Sequence, residues 1–139
     1  MKRLIATICA ASFVFALAAC GSGGGGEAKQ FASGKVGNMT VTLASPDGVL
    51  RHGDQELTVT FKDASGKPVD VGAASLNFHM PAMSTMPVMN DPATLTTTST
   101  PGVYHGKVKL EMTGEWQAQV AYEGPAGSGK GSFPVMAQP

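Results

Sequence analysis

Four methionines spaced three residues apart form the most distinctive chemical pattern in the sequence: Met80, Met83, Met86 and Met89. They are half of the eight methionines of the chain, and His79 stands directly before the first of them. A thioether sulfur is a soft, uncharged ligand, which suits Cu(I) better than Zn²⁺, Ca²⁺ or Mg²⁺. The stretch is therefore a candidate Cu(I) site, and copper is the cofactor that the sequence predicts.

The spacing of three excludes a helix but leaves two arrangements open. Positions three apart drift around a helix of 3.6 residues per turn, and Pro87 would remove one of its hydrogen bonds. In a polyproline II segment the sulfurs would form one ridge, with successive sulfurs roughly 9 Å apart, which is too far for one small ion. A segment that wraps back would gather them instead. A ridge suits docking on a partner protein, whereas gathered sulfurs suit metal binding.

Core packing is the competing explanation for part of this pattern. Alternation in the preceding strand puts Met80 on the inward face with Leu76 and Phe78, where methionine is a good gap filler. His79 then points outward, so His79 and Met80 share an ion only if the strand breaks at Pro81. Packing and ligation thus remain alternatives for Met80.

Two residues from neighbouring strands extend the candidate ligand set. His105 is predicted on the outer face of its strand, and Met112 lies just before Gly114, where it could instead pack against Trp116. The full predicted metal set is Met80, Met83, Met86, Met89, His79, His105 and Met112.

The charged residues argue against catalysis and against nucleic-acid binding. Single carboxylates occur in or beside predicted turns, where aspartate caps its own backbone, and they make no acid/base pair: Asp47, Asp54, Asp63 and Asp70. No phosphate-binding loop or motif-borne nucleophile is present, so we do not expect an enzyme. The chain has 10 basic and 10 acidic side chains and no basic run, which makes nucleic acid an unexpected partner.

The N-terminus has the features of an exported lipoprotein. A basic start and an apolar run predict a signal peptide over residues 1–19, and its end resembles the bacterial lipoprotein box, with Cys20 as the lipidated residue. Cys9 leaves with the signal, so no thiol remains for a disulfide or a thiolate site. Residues 20–35 are then the lipidated cysteine and a glycine-rich linker. We expect the protein to be lipid-anchored to a membrane and to face the periplasm or the cell exterior.

Residues 36–139 predict one all-β domain. About seven short alternating segments are separated by Gly, Pro and Asp, and no segment after the linker has a helical period. An antiparallel, immunoglobulin-like β-sandwich fits best, with Trp116 as a core anchor, and a small closed barrel is the alternative. The threonine-rich segment from Ala93 to Ser99 is predicted to be an outer strand.

Several of these segments together resemble the YtkA-like domain, which is related to the FixH-like proteins. The landmarks are Leu57–Asp63 with Gly66–Val69, Leu76–Met83, Gly102–Gly106 and Met112–Trp116. The resemblance covers most of residues 36–123 and implies a small exported or membrane-anchored β-sandwich. It also implies a copper-handling or cytochrome-assembly protein as partner. The extension of the methionine run through Met86 and Met89, with His79 before it, departs from the family pattern and favours metal binding here.

Overall fold

The computed structural model describes residues 28–139, and every regular element in that range is a β-strand. Alternating apolar residues and glycine-containing turns produce nine strands there. They are β1 (Lys29–Val36), β2 (Met39–Ser45), β3 (Leu50–Arg51), β4 (Gly53–Lys62), β5 (Ala73–Met80), β6 (Met89–Thr97), β7 (Val103–Leu110), β8 (Gly114–Gly124) and β9 (Gly127–Gln138).

The nine strands form one hydrogen-bonded sheet in the order β1-β2-β4-β7-β6-β5-β8-β9-β3. All pairs are antiparallel except the short pair of β3 with β9, which is parallel. The sheet turns within β6, because residues 89–93 pair with β5 and residues 94–97 pair with β7. β1 also packs beside β9, where the glycine at 131 lies close to Val36, so the sheet curls almost into a barrel.

The predicted all-β class is confirmed, and the details differ in two ways. The described residues hold nine strands rather than about seven, because β1 and β3 were not anticipated. The strands form one curled sheet, which lies between the expected two-sheet sandwich and the barrel alternative. The threonine-rich residues 94–97 of β6 have a hydrogen-bonded neighbour on one side only, β7, so this part of the strand is an outer strand as predicted, while residues 89–93 pair with β5.

The core confirms the predicted strand faces. Leu76, Phe78 and Met80 are buried on β5, whereas His79 between them is only partly buried. Trp116 is fully buried, as predicted for the core anchor, and its indole Nε1 donates a hydrogen bond of 3.1 Å to the Met112 carbonyl oxygen. The indole thereby satisfies its polar group within the apolar core.

Strand registers place the methionine stretch at one end of the fold, which we call the hairpin end. This end comprises the β5–β6 connection, the β7–β8 connection and the last residues of β9. Gly53 of β4 pairs with Leu110 here, and Gly114 pairs with Ala137. Six methionines lie at this end: Met80, Met83, Met86, Met89, Met112 and Met136.

The N-terminal predictions fall mainly outside the described residues. The signal peptide over 1–19, lipidation at Cys20 and the glycine run of the linker all lie there. The linker prediction extended to residue 35, but Lys29–Val36 is strand β1 and pairs with β2. The folded domain therefore begins about seven residues before the predicted boundary at 36. Within residues 28–139 no helix has the length and apolar character required to cross a membrane.

Candidate functional site

Residues 80–89 fold back on themselves as the end of the β5–β6 hairpin, and we call this segment the methionine hairpin. Met80 of β5 pairs with Met89 of β6, and an isolated antiparallel bridge pairs Met83 with Met86. The evenly spaced methionines thus form two cross-strand pairs around one turn. Of the two arrangements left open by the sequence, the wrapped one is present and the extended polyproline II ridge is not.

The inner pair, Met80 and Met89, belongs largely to the core. Met80 is buried, and its Cε lies 3.6 Å from where a Cβ would stand on Gly114 at the start of β8. Met89 is partly buried and packs against the core cluster. The packing alternative considered for Met80 therefore describes its environment well, while Met89 retains some access to solvent.

The outer pair, Met83 and Met86, lies at the tip. Their backbones exchange two hydrogen bonds, of 3.1 Å from Met83 N to Met86 O and of 2.6 Å in the reverse direction. Only Ser84 and Thr85 separate them, and Ser84 has a positive φ of 49°, which the tight turn requires. Directly opposed residues with both hydrogen bonds have Cα atoms about 5.5 Å apart and side chains on one face. Met83 is 57% exposed and Met86 is half-buried.

His79 stands at the base of the methionine hairpin with one ring nitrogen engaged. Its Nδ1 lies 2.9 Å from Asn90 Oδ1, which also accepts from Asn77 Nδ2 at 3.2 Å. Because the amide oxygen can only accept, the hydrogen of the neutral ring is on Nδ1, and Nε2 keeps its lone pair. Nε2 is therefore the atom of His79 that could bind a metal.

The structure does not bring His105 to the methionines. His105 pairs with Thr96 of β6, seven residues beyond Met89, which corresponds to roughly 23 Å along a strand. Its Nε2 instead lies 3.9 Å from Glu56 Oε2 on the exposed face of β4 and β7. Although β7 is next to β6 in the sheet, His105 is therefore far from the methionines.

Met112 does lie at the hairpin end, in the β7–β8 connection. Its side chain is partly buried against the core, and its carbonyl oxygen accepts the Trp116 hydrogen bond. The contact with Trp116 that the structure gives is thus made by the Met112 backbone, while the Met112 side chain packs against the core cluster. Met112 extends the methionine-rich end of the core rather than the exposed tip.

The donor chemistry at the methionine hairpin is soft. Residues 80–90 contain no charged side chain. Within residues 28–139 no group of three or more His, Cys, Asp or Glu is placed to hold a metal ion. Hard cations such as Mg²⁺ and Ca²⁺ prefer oxygen ligands, so the thioethers of the hairpin favour a soft ion over these.

Sequence reasoning missed three residues that shape this end. Val88 and Met136 are 51% and 54% exposed, and with Met83 they are the large apolar side chains most exposed in the described residues. Asp91 is buried, and its Oδ2 accepts a hydrogen bond from the Glu111 backbone. The uncharged run before Asp91 could have indicated that Val88 belongs to the same apolar segment. The positions of Met136 and Asp91 depend on strand pairings, which cannot be read from the sequence.

Comparison with known protein families gives one match. A family model described as YtkA-like matches residues 34–121, which is more than half of the 139 residues. The matched range contains the whole methionine hairpin and Trp116. Comparison with curated proteins and with solved structures found no match.

Proposed function

The chain belongs to the YtkA-like family, and we propose that it is an exported, lipid-anchored protein that binds Cu(I), or passes it on, through its methionine hairpin. The observation that carries this proposal is the pairing of Met83 with Met86 across a two-residue turn. The fold supplies the scaffold, and the proposed site is the exposed tip of one hairpin.

The donor set fits Cu(I). Two thioethers that leave opposed backbone positions about 5.5 Å apart can approach one ion between them, because methionine has three rotatable side-chain bonds. Met89 lies three residues beyond Met86 and is partly exposed, unlike the buried Met80, so Met89 is the candidate for a third sulfur. His79 Nε2 is the imidazole alternative, whereas His105 is too distant to contribute.

The exposure of the tip suits transfer better than storage. Met83 is more than half exposed, so a ligand of another protein could reach an ion held there. Thioethers also keep their ligand chemistry without a thiolate, which would be lost to oxidation in an exported protein. A copper-handling or cytochrome-assembly protein is the partner that we propose.

A second candidate function is a non-metal structural or adaptor role in the cell envelope. The exposure of Met83 and Val88 favours it, because methionine-rich apolar surfaces adapt well to partner proteins. In that case the same tip would dock on a protein without any ion.

A Cu(I) titration followed by thermal unfolding tests the proposal. Residues 21–139 are titrated in a competing Cu(I) buffer, and an ion that binds only the folded state must raise the melting temperature. Free Cu(I) at a hundred times the dissociation constant should stabilise the protein by about 2.7 kcal/mol. Zn²⁺ should have a much smaller effect, because thioethers are poor ligands for it.

Leucine substitutions separate binding from folding. Replacing Met83 and Met86 together by leucine keeps most of the apolar volume, so the apo protein should remain stable while the copper-dependent shift is lost. The matched control replaces Met39 and Met136, which lie outside the candidate set, and should retain the shift. A wild-type protein that is folded but unmoved by Cu(I) would leave the adaptor role as the better explanation.

A further inference from the structure

We propose that the tip of the methionine hairpin inserts into the lipid surface to which the protein is anchored. The apolar side chains of Met83 and Val88 would contact the bilayer itself. The inference rests on the lipid anchor at Cys20, which is part of the proposed function, and it concerns the copper-free tip, because Met83 cannot present an ion to a partner while its side chain is buried in lipid.

The exposed apolar side chains of the described residues gather at one end of the fold. Met83, Val88 and Met136 are 57%, 51% and 54% exposed, and all three lie at the hairpin end. Pro81 and Pro87 at the tip are also exposed. A protein that met only water there would be expected to scatter such residues rather than collect them.

Strand β1, the first described strand after the anchor in sequence, also starts at this end of the fold. Lys29 pairs with Ser45, and β1 runs away from the hairpin end toward Val36. The Lys29 Cβ lies 3.0 Å from where a Cβ would stand on Gly48, in the turn that leads to β3 at the hairpin end. The described chain therefore begins at the hairpin end.

The length of chain before β1 limits how far that end can be from the lipid. Lys29 is nine residue steps from Cys20, and a fully extended chain of that length spans at most roughly 30 Å. The tip projects at most about 10 Å beyond the Met80–Met89 pair, since Met83 is three residue steps beyond Met80 and an extended residue spans about 3.3 Å. When the hairpin end faces the membrane, the tip is thus well placed to touch it first.

The distribution of charge fits shallow insertion. Residues 80–90 carry no charge, whereas Glu111, Glu115 and the ion pair of Arg51 with Asp47 lie at the same end of the fold. Apolar side chains at an interface bury into the boundary between headgroups and acyl chains, while charged groups remain in water. The flanking charges should therefore stop insertion at the tip, and contact should depend little on anionic lipid.

Site-specific fluorescence on the full lipidated chain tests this inference. With Cys20 modified by lipid, Met83→Cys introduces the single free thiol, which is labelled with nitrobenzoxadiazole. Val88→Cys provides a second tip position, and Ala64→Cys, in the exposed turn after β4, provides the matched control at the opposite end. Each protein is reconstituted into phosphatidylcholine vesicles, and lipidation is verified by mass spectrometry. Vesicle flotation then shows whether the protein is bound.

Both tip labels should shift to shorter emission wavelength in the vesicles and lose intensity when the lipid carries a spin-label quencher. The Ala64 label should show neither change. Tip labels that remain water-like on floating, lipidated protein would overturn the inference while leaving the anchor intact. A shift seen only in native envelope membranes, and not in protein-free vesicles, would also overturn it and point to a protein partner.

Two further outcomes separate this inference from the proposed function. Absence of lipid on Cys20 would remove the anchor and the inference together. A missing Cu(I)-dependent rise in melting temperature, with tip labels that still enter the lipid, would remove the copper function and support the membrane contact alone.

Discussion

The carboxylate of Asp91 accepts a hydrogen bond of 3.1 Å from the backbone N–H of Glu111. Asp91 follows Met89 by two residues on β6, and Glu111 directly precedes Met112 in the β7–β8 connection. This contact therefore ties the base of the methionine hairpin to the neighbouring connection. It positions two methionine-bearing segments relative to each other without using either thioether.

Removing that carboxylate should destabilise the hairpin end. Asp91→Ala leaves a partly buried N–H without its acceptor, which typically costs about 1–3 kcal/mol. Urea unfolding should show the loss as a lower midpoint with an unchanged slope. Asp91→Asn keeps an acceptor oxygen at the same place and should lose clearly less. Equal losses in the two variants would mean that the hydrogen bond contributes little.

Lipidation at Cys20 is a separate prediction. Cys20→Ala removes the thiol that would carry the lipid, so the protein should either leave the membrane fraction or accumulate with its signal peptide attached. Fractionation and the mass of the product measure both effects. A variant of mature size that stays with the membrane would contradict the lipoprotein assignment.

Two glycines with similar backbone angles provide a matched test of packing. Gly102 and Gly66 have φ values of 80° and 83°. A Cβ on Gly102 would lie 2.5 Å from the Val69 carbonyl oxygen, whereas a Cβ on Gly66 would have no atom within 4 Å. Left-handed strain alone costs an alanine roughly 1–2 kcal/mol. Gly66→Ala should show that cost, and Gly102→Ala should lose clearly more, because backbone must move.

Thermal unfolding of the two alanine variants, each against wild type, measures the difference. A Gly102→Ala protein as stable as Gly66→Ala would show that the strand ends around Val69 can shift at little cost. It would also argue against tight closure at that end of the sheet.

Acid should weaken the turn after β4 through Asp63. The Ser65 hydroxyl, at 2.6 Å, is the main cause of a lowered pKa for the Asp63 carboxyl, and the Lys67 and Ser65 backbone N–H groups add to it. A lowered folded-state pKa stabilises the protein above the ordinary value of 3.8, and that contribution is lost as the pH falls through the folded value.

Asp63→Asn should therefore have its largest effect near neutral pH and a diminishing one below about pH 4. Melting temperatures of wild type and variant between pH 7 and pH 2 give the measurement. Asp54→Asn removes an exposed carboxylate that makes no hydrogen bond among the described residues, and serves as the control for lost charge. A constant difference between wild type and Asp63→Asn at all pH values would contradict the assignment.

Alternation made most strands and their buried faces predictable, but it did not reveal β1. Residues 29–36 have too few apolar positions to show a period of two, and they become a strand because they pair with β2 and pack beside β9. Gly34 in particular lies against the Phe133 ring, a contact between residues about a hundred positions apart. Such long-range contacts are invisible in a local pattern.

The arrangement of the methionines was underdetermined for a different reason. Ser84–Thr85 lacks the glycine or asparagine that usually marks a two-residue hairpin turn. The chain turns there nonetheless, and the register already set by Phe78 with Asp91 continues through Met80–Met89 to Met83–Met86. The candidate residues could be named from their chemistry, but their division into a buried pair and an exposed pair required the pairing. His105 was included as a possible contribution from a neighbouring strand, because its distance from the methionines could not be predicted from the sequence.

The division of β6 between two neighbours has a consequence for how the molecule opens. Among the described strands it is the hydrogen-bonded junction between the group β1, β2, β4 and β7 and the group β5, β8, β9 and β3. These groups cannot separate without breaking the ladder at Thr94–Thr97 or the one at Met89–Ala93. The backbone amides of β6 that donate into either ladder should accordingly exchange with solvent only as fast as the two groups separate, although most side chains of this strand are exposed. The position of β6 in the sheet, and not its apolar content, would determine how strongly these amides are protected from hydrogen exchange.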